Sequence, residues 1–246
     1  MTSSSNNVAL MYEMYTVPAA ILAAIVGILA IAWLIQSIQA SFYPRRLLNL
    51  LLISYVTNFA DLIFRATLYN SILDVTTNLI IISILVAVGQ RVIIVANYVF
   101  IGQILGTQSS FARAINMGTL LVALISIILA SFAGVQSTNP DTIENSFRLR
   151  QIAAVIVLFL TFAFYPIWLL TKTFKDMTKQ AIVLLLISSL TCLVVAIYTM
   201  IISIPQYYVA TSQQLMWFYI FQLTPILIAL ITWVIFHPIR SLPRIQ

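Results

Sequence analysis

The chain has 246 residues, of which 62% are apolar and only 7% are charged, whereas a soluble domain is about half apolar and about a quarter charged. Because so few charges cannot cover a surface in water, the composition excludes a soluble globule and predicts that lipid surrounds most of the chain. The net charge of +6 comes from cations that stand singly or in small groups between long apolar runs. This pattern is typical of a membrane protein, in which cations lie in the loops between spans, and it argues against a nucleic-acid partner.

Seven apolar runs are long enough to cross a bilayer, which takes about twenty residues at about 1.5 Å per residue. In chain order they are residues 17–38, 47–69, 75–105, 115–135, 151–171, 181–205 and 215–236. Their connections are short, so we predict one bundle of antiparallel helices with no second folded domain. The runs are continuously apolar rather than alternating, which argues against a β-barrel. The predicted fold is therefore all-α, a polytopic bundle of seven transmembrane helices.

This seven-helix domain, residues 17–236, is flanked by a short N-terminal tail, residues 1–16, and by a short basic tail, residues 237–246. The N-terminal tail contains Glu13 and no Lys or Arg, so the basic region of a secretory signal is missing and we expect the first run to be retained. The third run, at about thirty residues, is longer than a bilayer requires. We therefore expect it to tilt, to project beyond the interface, or to break near Gly89 or Gly102.

Positive side chains predict the orientation of the bundle. The loops after the first, third and fifth spans and the C-terminal tail carry Arg45, Arg46, Arg113, Lys172, Lys175, Lys179, Arg240 and Arg244. The opposite loops hold only Arg148 and Arg150, which are accompanied by Asp141 and Glu144. The positive-inside rule then places the N-terminus outside and the C-terminus in the cytosol. The plasma membrane is the expected location.

Three ionisable side chains lie within the predicted spans, where a charge at mid-helix costs about 2.5–3.5 kcal/mol and therefore faces the bundle interior. Asp61 and Arg65 are four residues apart, so they form an ion pair on one helix face, either as a structural pin or as part of a site. Arg91 has no helical partner and is the strongest functional candidate. It binds an anionic headgroup, lines a polar path, or completes a triad with Asp61.

Neutral polar residues extend this stripe along the second and third spans. Asn58 lies one turn before Asp61, and Gln90, Asn97 and Gln103 share the third span with Arg91. Such amides either contact a ligand or join helices through hydrogen bonds.

His237, at the end of the last span, is expected to cap a helix end, and a helix C-terminus there would favour its protonated form. A single histidine and dispersed acids predict no metal centre and no cofactor. Without a nucleophile paired with a base, no enzymatic activity is expected.

Three segments carry a resemblance to a known family. In the third span, Tyr98, Gly102 and Ile104 look like a Tyr-x-x-x-Gly-Arg-Ile motif. In the sixth span, the resemblance rests on the run 186–190 together with Tyr198, and at the end of the chain on the aromatic run 217–222, Pro225 and the Phe-His-Pro at 236–238. These segments resemble the fungal lipid-translocating exporters, which are aminocholesterol-resistance-like proteins of seven helices.

The chain departs from that pattern at polar positions, because Gln103, Gln222 and Gln90 stand where the family has Arg, Asp and Pro. It is therefore similar to a divergent member or to a neighbouring fungal family. The resemblance implies movement of lipids, sphingoid bases or sterol-like compounds across the bilayer. The candidate ligand-binding or pathway residues are Asp61, Arg65, Gln90, Arg91, Asn97, Tyr98, Gln103, Tyr198, Gln222 and His237.

Transport of an amphipathic compound is thus the first functional hypothesis, and it makes no direct use of ATP because the sequence has no P-loop pattern. The expected partners are membrane lipids and an amphipathic small molecule, and a homo-oligomer is left open. The alternative is a seven-helix receptor or stress sensor that signals through the basic loop with Lys172, Lys175 and Lys179. Membrane topology alone also explains that loop.

Overall fold

The computed structural model describes residues 2–67, 75–106, 109–137, 140–212 and 215–242. Over these residues the protein is helical and contains no β-strand. The helices are α1 (Thr2–Gln39), α2 (Arg45–Thr67), α3 (Val75–Leu105), α4 (Ser110–Gln136), α5 (Ile143–Phe174), α6 (Lys179–Ile202), α7 (Pro205–Ser212), α8 (Leu215–Phe218), α9 (Thr224–Ile235) and α10 (Pro238–Ser241). Within this described part, seven segments are long and apolar enough to cross a membrane, which confirms the predicted multi-pass, all-helical fold.

The helix bounds differ from the predicted spans at a few places. The helix α1 begins at Thr2 and so continues through most of the predicted tail, although its apolar segment is Val17–Gln39. The helix α5 begins at Ile143 rather than at residue 151, because its first turns are polar and a search for apolar runs does not include them. The predicted end of the second span at Tyr69, and Arg244 of the basic tail, lie outside the described residues.

The last span is not one regular helix. A π-helical segment, Tyr219–Leu223, joins α8 to α9. Pro225 has no backbone N–H to donate within the helix, and a π register is one way to accommodate such a gap. Both the backbone N–H and the Oγ1 of Thr224 donate to the Tyr219 carbonyl, the latter at 2.8 Å.

The helix α3 occupies the centre of the bundle. Every residue from Gly89 to Gly102 is buried, because α2, α4, α5 and α6 all contact α3. The outward faces of the surrounding helices carry large apolar side chains such as Ile28 and Phe159, which are 67% and 68% exposed. An apolar outer surface of this kind is what lipid contact requires.

Hydrogen bonds between spans fix the rotation of the central helices. The Tyr55 hydroxyl donates to the Leu230 carbonyl and the Tyr98 hydroxyl to the Leu160 carbonyl, each at 2.6 Å. The Ser188 hydroxyl donates to Oδ1 of Asn97 at 2.8 Å and accepts from the indole N–H of Trp233 at 3.2 Å. These bonds join α2 to α9, α3 to α5, and α6 to both α3 and α9, as is common between helices in lipid.

The two glycines of α3 do not break it, and the helix is continuous from Val75 to Leu105. A β-carbon at Gly89 would lie 2.8 Å from the side-chain nitrogen of Asn58, and one at Gly102 would overlap the amide of Asn116. Both positions therefore allow a neighbouring amide to approach the α3 backbone closely. Of the three alternatives for this long run, the continuous helix excludes a break near Gly89 or Gly102.

Contacts between loops and helix ends define the two ends of the bundle. At the first end, the Thr178 hydroxyl donates to the Ser241 carbonyl at 2.7 Å, and the rings of Trp33 and His237 lie 4.8 Å apart. We call this the basic end, since it carries Arg45, Arg46, Arg113, Lys172, Lys175, Lys179 and Arg240. At the opposite end, α4 finishes and α5 begins, and the Gln151 side chain donates to the Ser203 carbonyl at 3.4 Å.

Substitution of Gly89 tests the close approach of α2 to α3. We expect Gly89→Ala to destabilise the protein by about 1–3 kcal/mol, because the buried Asn58 amide must move and Asn58 is hydrogen-bonded to Ser54. The control is Gly118→Ala on α4, where nothing lies within 4 Å of the added carbon and helix propensity gains up to about 1 kcal/mol. Thermal unfolding in detergent measures both, and equal melting temperatures for the two variants would contradict the packing.

Candidate functional site

A cavity of about 540 Å³ lies within the bundle, toward the opposite end. This volume is in the range of about 300–1,000 Å³ that is usual for small-molecule sites. The helices α2 to α6, α7 and the last span contribute its polar and aromatic lining residues, which are Arg65, Ser83, Gln90, Arg91, Ser137, Ser146, Phe147, Arg150, Thr199, Ser203, Tyr208, Phe218 and Gln222. Apolar side chains, among them Ile82 and Val86, complete the wall. The cavity is therefore amphipathic.

The charged groups that line the cavity are all positive. Arg65, Arg91 and Arg150 contribute to its wall, and no described Asp or Glu does. Asp61 is only 2% exposed and lies behind Arg65, to whose Nε it is bonded at 3.0 Å. Fixed charges of one sign around a low-dielectric space concentrate their field there.

Arg91 is the most deeply buried of these cations, at 3% exposure. Its Nε donates to the Ser126 hydroxyl at 2.8 Å, and its Nη1 donates to the Ala87 carbonyl at 2.9 Å. Ser126 in turn donates to the Ala153 carbonyl at 3.0 Å, which ties α3 to α4 and α5. Among the described residues no carboxylate lies within ion-pair distance of Arg91, so the alternative of a triad with Asp61 does not form.

The depth of Arg91 makes this lack of a counter-ion costly. The apolar segment of α3 is Ile80–Leu105, and Arg91 is eleven residues along it, which corresponds to about 16 Å, or roughly half of the hydrocarbon thickness. A guanidinium at that depth, held only by neutral oxygens, is destabilising for the protein alone. Residues of this kind in membrane proteins commonly mark a substrate or ion pathway.

The other two arginines rest on aromatic rings. The Arg65 guanidinium carbon lies 3.9 Å from the centre of the Phe218 ring, and that of Arg150 lies 4.9 Å from the centre of the Tyr208 ring. Such cation–π contacts hold a guanidinium flat against the ring. Because the N–H groups lie in the plane of the guanidinium, stacking leaves them free to donate to another group.

Two buried glutamines add neutral polar groups to the wall. Gln90 is 2% exposed; its Oε1 accepts from the Thr199 hydroxyl at 3.4 Å, and its Nε2 has no partner within the described part of the chain. Gln222 is 3% exposed and belongs to the π-helical segment. An unsatisfied buried donor costs about 1–3 kcal/mol of stability. A ligand that accepts a hydrogen bond from Nε2 of Gln90 would remove this cost.

The cavity brings together four of the predicted residues, namely Arg65, Gln90, Arg91 and Gln222. Asp61 supports this group through its ion pair with Arg65. The other predicted residues lie elsewhere: Asn97 and Tyr98 join helices through the hydrogen bonds described above, Tyr198 stacks on Phe221 at 6.1 Å, and Gln103 and His237 lie beyond the cavity.

Sequence reasoning missed Arg150, which was assigned to a loop together with Arg148. The helix α5 includes both, and its cavity-lining face follows the helical spacing of residues 143, 146, 147, 150 and 153. Arg148 points away from this face and pairs with Glu144 at 2.7 Å, with 69% of its side chain exposed. A helical projection begun at Ile143, where α5 starts, would have placed the two arginines on different faces of the helix.

His237 does cap a helix, but not in the protonated form that was expected. Its Nδ1 accepts from the backbone N–H of Ile239 at 3.4 Å as the N-cap of α10. Burial and the positive charge of Arg240 lower the pKa of His237 to about 4. The protonated form is disfavoured because the ring is buried against Trp33 and because Arg240 lies nearby.

Comparison of the chain with protein-family models, with curated proteins and with solved structures finds no match.

The depressed pKa of His237 predicts a loss of stability in mild acid. The unfolded chain binds this proton near pH 6.5, whereas the folded chain does so only near pH 4, so the stabilising effect is complete above about pH 6.5 and declines as the pH falls toward 4. We expect His237→Asn, which keeps a capping acceptor but takes up no proton, to reduce the fall in melting temperature between about pH 7 and pH 5 in detergent. Identical pH profiles for the two proteins would contradict this role.

Proposed function

We propose that this multi-pass membrane protein moves amphipathic, lipid-like molecules across the bilayer without direct use of ATP. The observation that carries the proposal is an amphipathic cavity inside the bundle, whose wall includes Arg91 near the middle of the membrane. A molecule with a polar head and an apolar tail cannot cross lipid unaided because its head would have to shed water in hydrocarbon. Polar groups at mid-depth reduce that cost.

The distribution of lining groups suits such a molecule. Arg65 is in the last turn of α2, whereas Arg91 lies deep in α3, so polar contacts extend from the end of the bundle inward. Ile82, Val86 and Phe218 offer apolar surface beside them. The head would move from arginine to arginine while the tail remains against apolar side chains or lipid.

Movement of this kind requires a rearrangement of the helices, and the interruption of regular helix in the last span supports it. The π-helical segment before Pro225 carries Gln222 into the cavity wall. Broken helices that line a cavity are typical of transporters, because their freed backbone groups remain satisfied within the protein. The last span is therefore the element that we expect to shift as the ligand passes.

The proposal includes the predicted orientation and the predicted family. With the basic end in the cytosol, the cavity opens toward the outer face of the membrane. Membership of the fungal lipid-translocating exporter family and location in the plasma membrane agree with this activity and belong to the same proposal.

Transport is tested in vesicles that contain the purified protein and one of a set of fluorescent lipids with phosphate monoester, phosphodiester or neutral headgroups. A reductant added outside measures how much of each lipid remains in the inner leaflet. We expect the protein to move inner-leaflet lipid to the outer leaflet, where the reductant reaches it. Val86→Trp, which fills the cavity, should lower the rate of this movement to that of protein-free vesicles. The matched control is Leu121→Trp on the outer face of α4, where Leu121 is 57% exposed. No movement of any of these lipids by the unchanged protein would reject transport, and equal rates for the two variants would reject the cavity as its route. Ligand binding without movement would favour a receptor instead.

The orientation is tested by labelling single cysteines with a membrane-impermeant maleimide in cells. Cys192→Ala removes the one native cysteine, and Arg148→Cys and Lys175→Cys then report on the two ends of the bundle. We expect Arg148→Cys to react in intact cells and Lys175→Cys only after permeabilisation, since the positive-inside rule places the basic end in the cytosol. The reverse result would place the cavity mouth on the cytosolic side.

A further inference from the structure

We infer that the cavity selects a phosphate monoester headgroup, and hence that the transported amphiphile is an anionic lipid of this class. The inference rests on the proposed function for the apolar tail of the ligand. The chemistry of the headgroup follows from the cavity alone. The relevant groups are Arg65, Arg91, Arg150 and Gln90, together with Asp61 behind them.

The net charge around the cavity indicates a dianion. Three guanidinium groups line it, and the carboxylate of Asp61 compensates one of them through its 3.0 Å contact with Arg65. Three positive charges less one negative charge leave a charge of +2. A phosphate monoester carries about −1.5 to −2 near pH 7, so it would neutralise the wall, whereas a phosphodiester or a carboxylate would leave about one positive charge unbalanced.

The hydrogen-bonding groups also indicate an acceptor-rich ligand. Arg91 uses Nε and Nη1 for Ser126 and Ala87, and its Nη2 has no partner among the described residues. Arg65 uses only Nε for Asp61 in the described part of the chain, and Nε2 of Gln90 is buried and unpaired. These groups are all donors. The terminal oxygens of a phosphate are acceptors that match a guanidinium in bidentate fashion.

The same groups disfavour the other headgroups that the sequence suggested. A sphingoid base carries an ammonium group, which the three guanidinium groups would repel in a space of low dielectric. A sterol-like compound offers one hydroxyl, which leaves the charge of Arg91 uncompensated. A free phosphate would satisfy the charge but not the apolar part of the 540 Å³ cavity, which includes Ile82 and Val86.

Binding is measured with the purified protein in a neutral detergent, by the shift of its melting temperature on titration. The probe is dioctanoyl phosphatidic acid, and the comparison ligands are dioctanoyl glycerol, dioctanoyl phosphatidylserine, sphingosine and inorganic phosphate. We expect dioctanoyl phosphatidic acid to stabilise the protein at concentrations at which the comparison ligands do not. Equal stabilisation by dioctanoyl glycerol or by sphingosine overturns the inference. Equal stabilisation by phosphatidylserine overturns the selectivity for a phosphate monoester over a phosphodiester. Equal stabilisation by inorganic phosphate overturns the lipid ligand, because the site then takes free phosphate.

Three matched variants identify the site. We expect Arg91→Gln and Arg150→Gln each to weaken binding of dioctanoyl phosphatidic acid by roughly 10- to 100-fold, because each removes charge-assisted hydrogen bonds. Arg148→Gln, on the outer face of the same helix as Arg150, should bind as the unchanged protein does. Arg150 lies in the first turns of α5, so its variant remains informative if Arg91→Gln does not fold. Unchanged binding by Arg150→Gln, or equal weakening by Arg148→Gln, overturns the assignment.

The result is independent of transport, because binding is measured without a bilayer. If the protein binds phosphatidic acid in this arginine-dependent way but moves no lipid in vesicles, the headgroup inference stands and the proposed function fails. If it moves neutral or zwitterionic lipid and binds no phosphate monoester, transport stands and the inference fails.

Discussion

The arrangement of this protein depends on how one guanidinium is kept in the middle of a membrane. Arg91 has no carboxylate partner within the described chain and is held by the Ser126 hydroxyl and the Ala87 carbonyl. Neutral acceptors orient the group but do not cancel its charge. The same constraint links α3 to α4 and α5, since Ser126 bonds to both Arg91 and the Ala153 carbonyl. The cavity lies beside the remaining edge of the guanidinium.

Arg65, which is partly buried, and Arg91, which is fully buried, show opposite solutions to the same physical problem. Arg65 lies near the end of α2, carries its own acid one turn earlier, and rests on Phe218. Arg91 has neither an acid nor an aromatic ring, although it lies deeper. A protein that required only helix packing at this depth would be more stable with an apolar side chain there. The uncompensated charge is thus best explained by a ligand that supplies the missing anion.

The seven spans could be predicted from sequence because lipid imposes one requirement on every helix, an apolar run of sufficient length. The same requirement singled out Arg91 as a costly residue. It could not reveal Arg150, since polar first turns extend α5 beyond its apolar run. Nor could it show that Asn97 and Tyr98 bond to Ser188 and to the Leu160 carbonyl, because those contacts join residues far apart in sequence. Such partners depend on helix rotation, which apolar length does not encode.

The amide of Gln222 in the cavity wall bears on the chemistry of the ligand. Gln222 is buried in the same wall as Arg65 and Arg91. A carboxylate there would compensate a second guanidinium and leave the wall with a single positive charge. The amide instead adds a neutral donor and acceptor, so the positive charge must be balanced from outside the protein. A glutamine at 222 and an uncompensated Arg91 are therefore consistent features, and together they favour a ligand that enters as an anion.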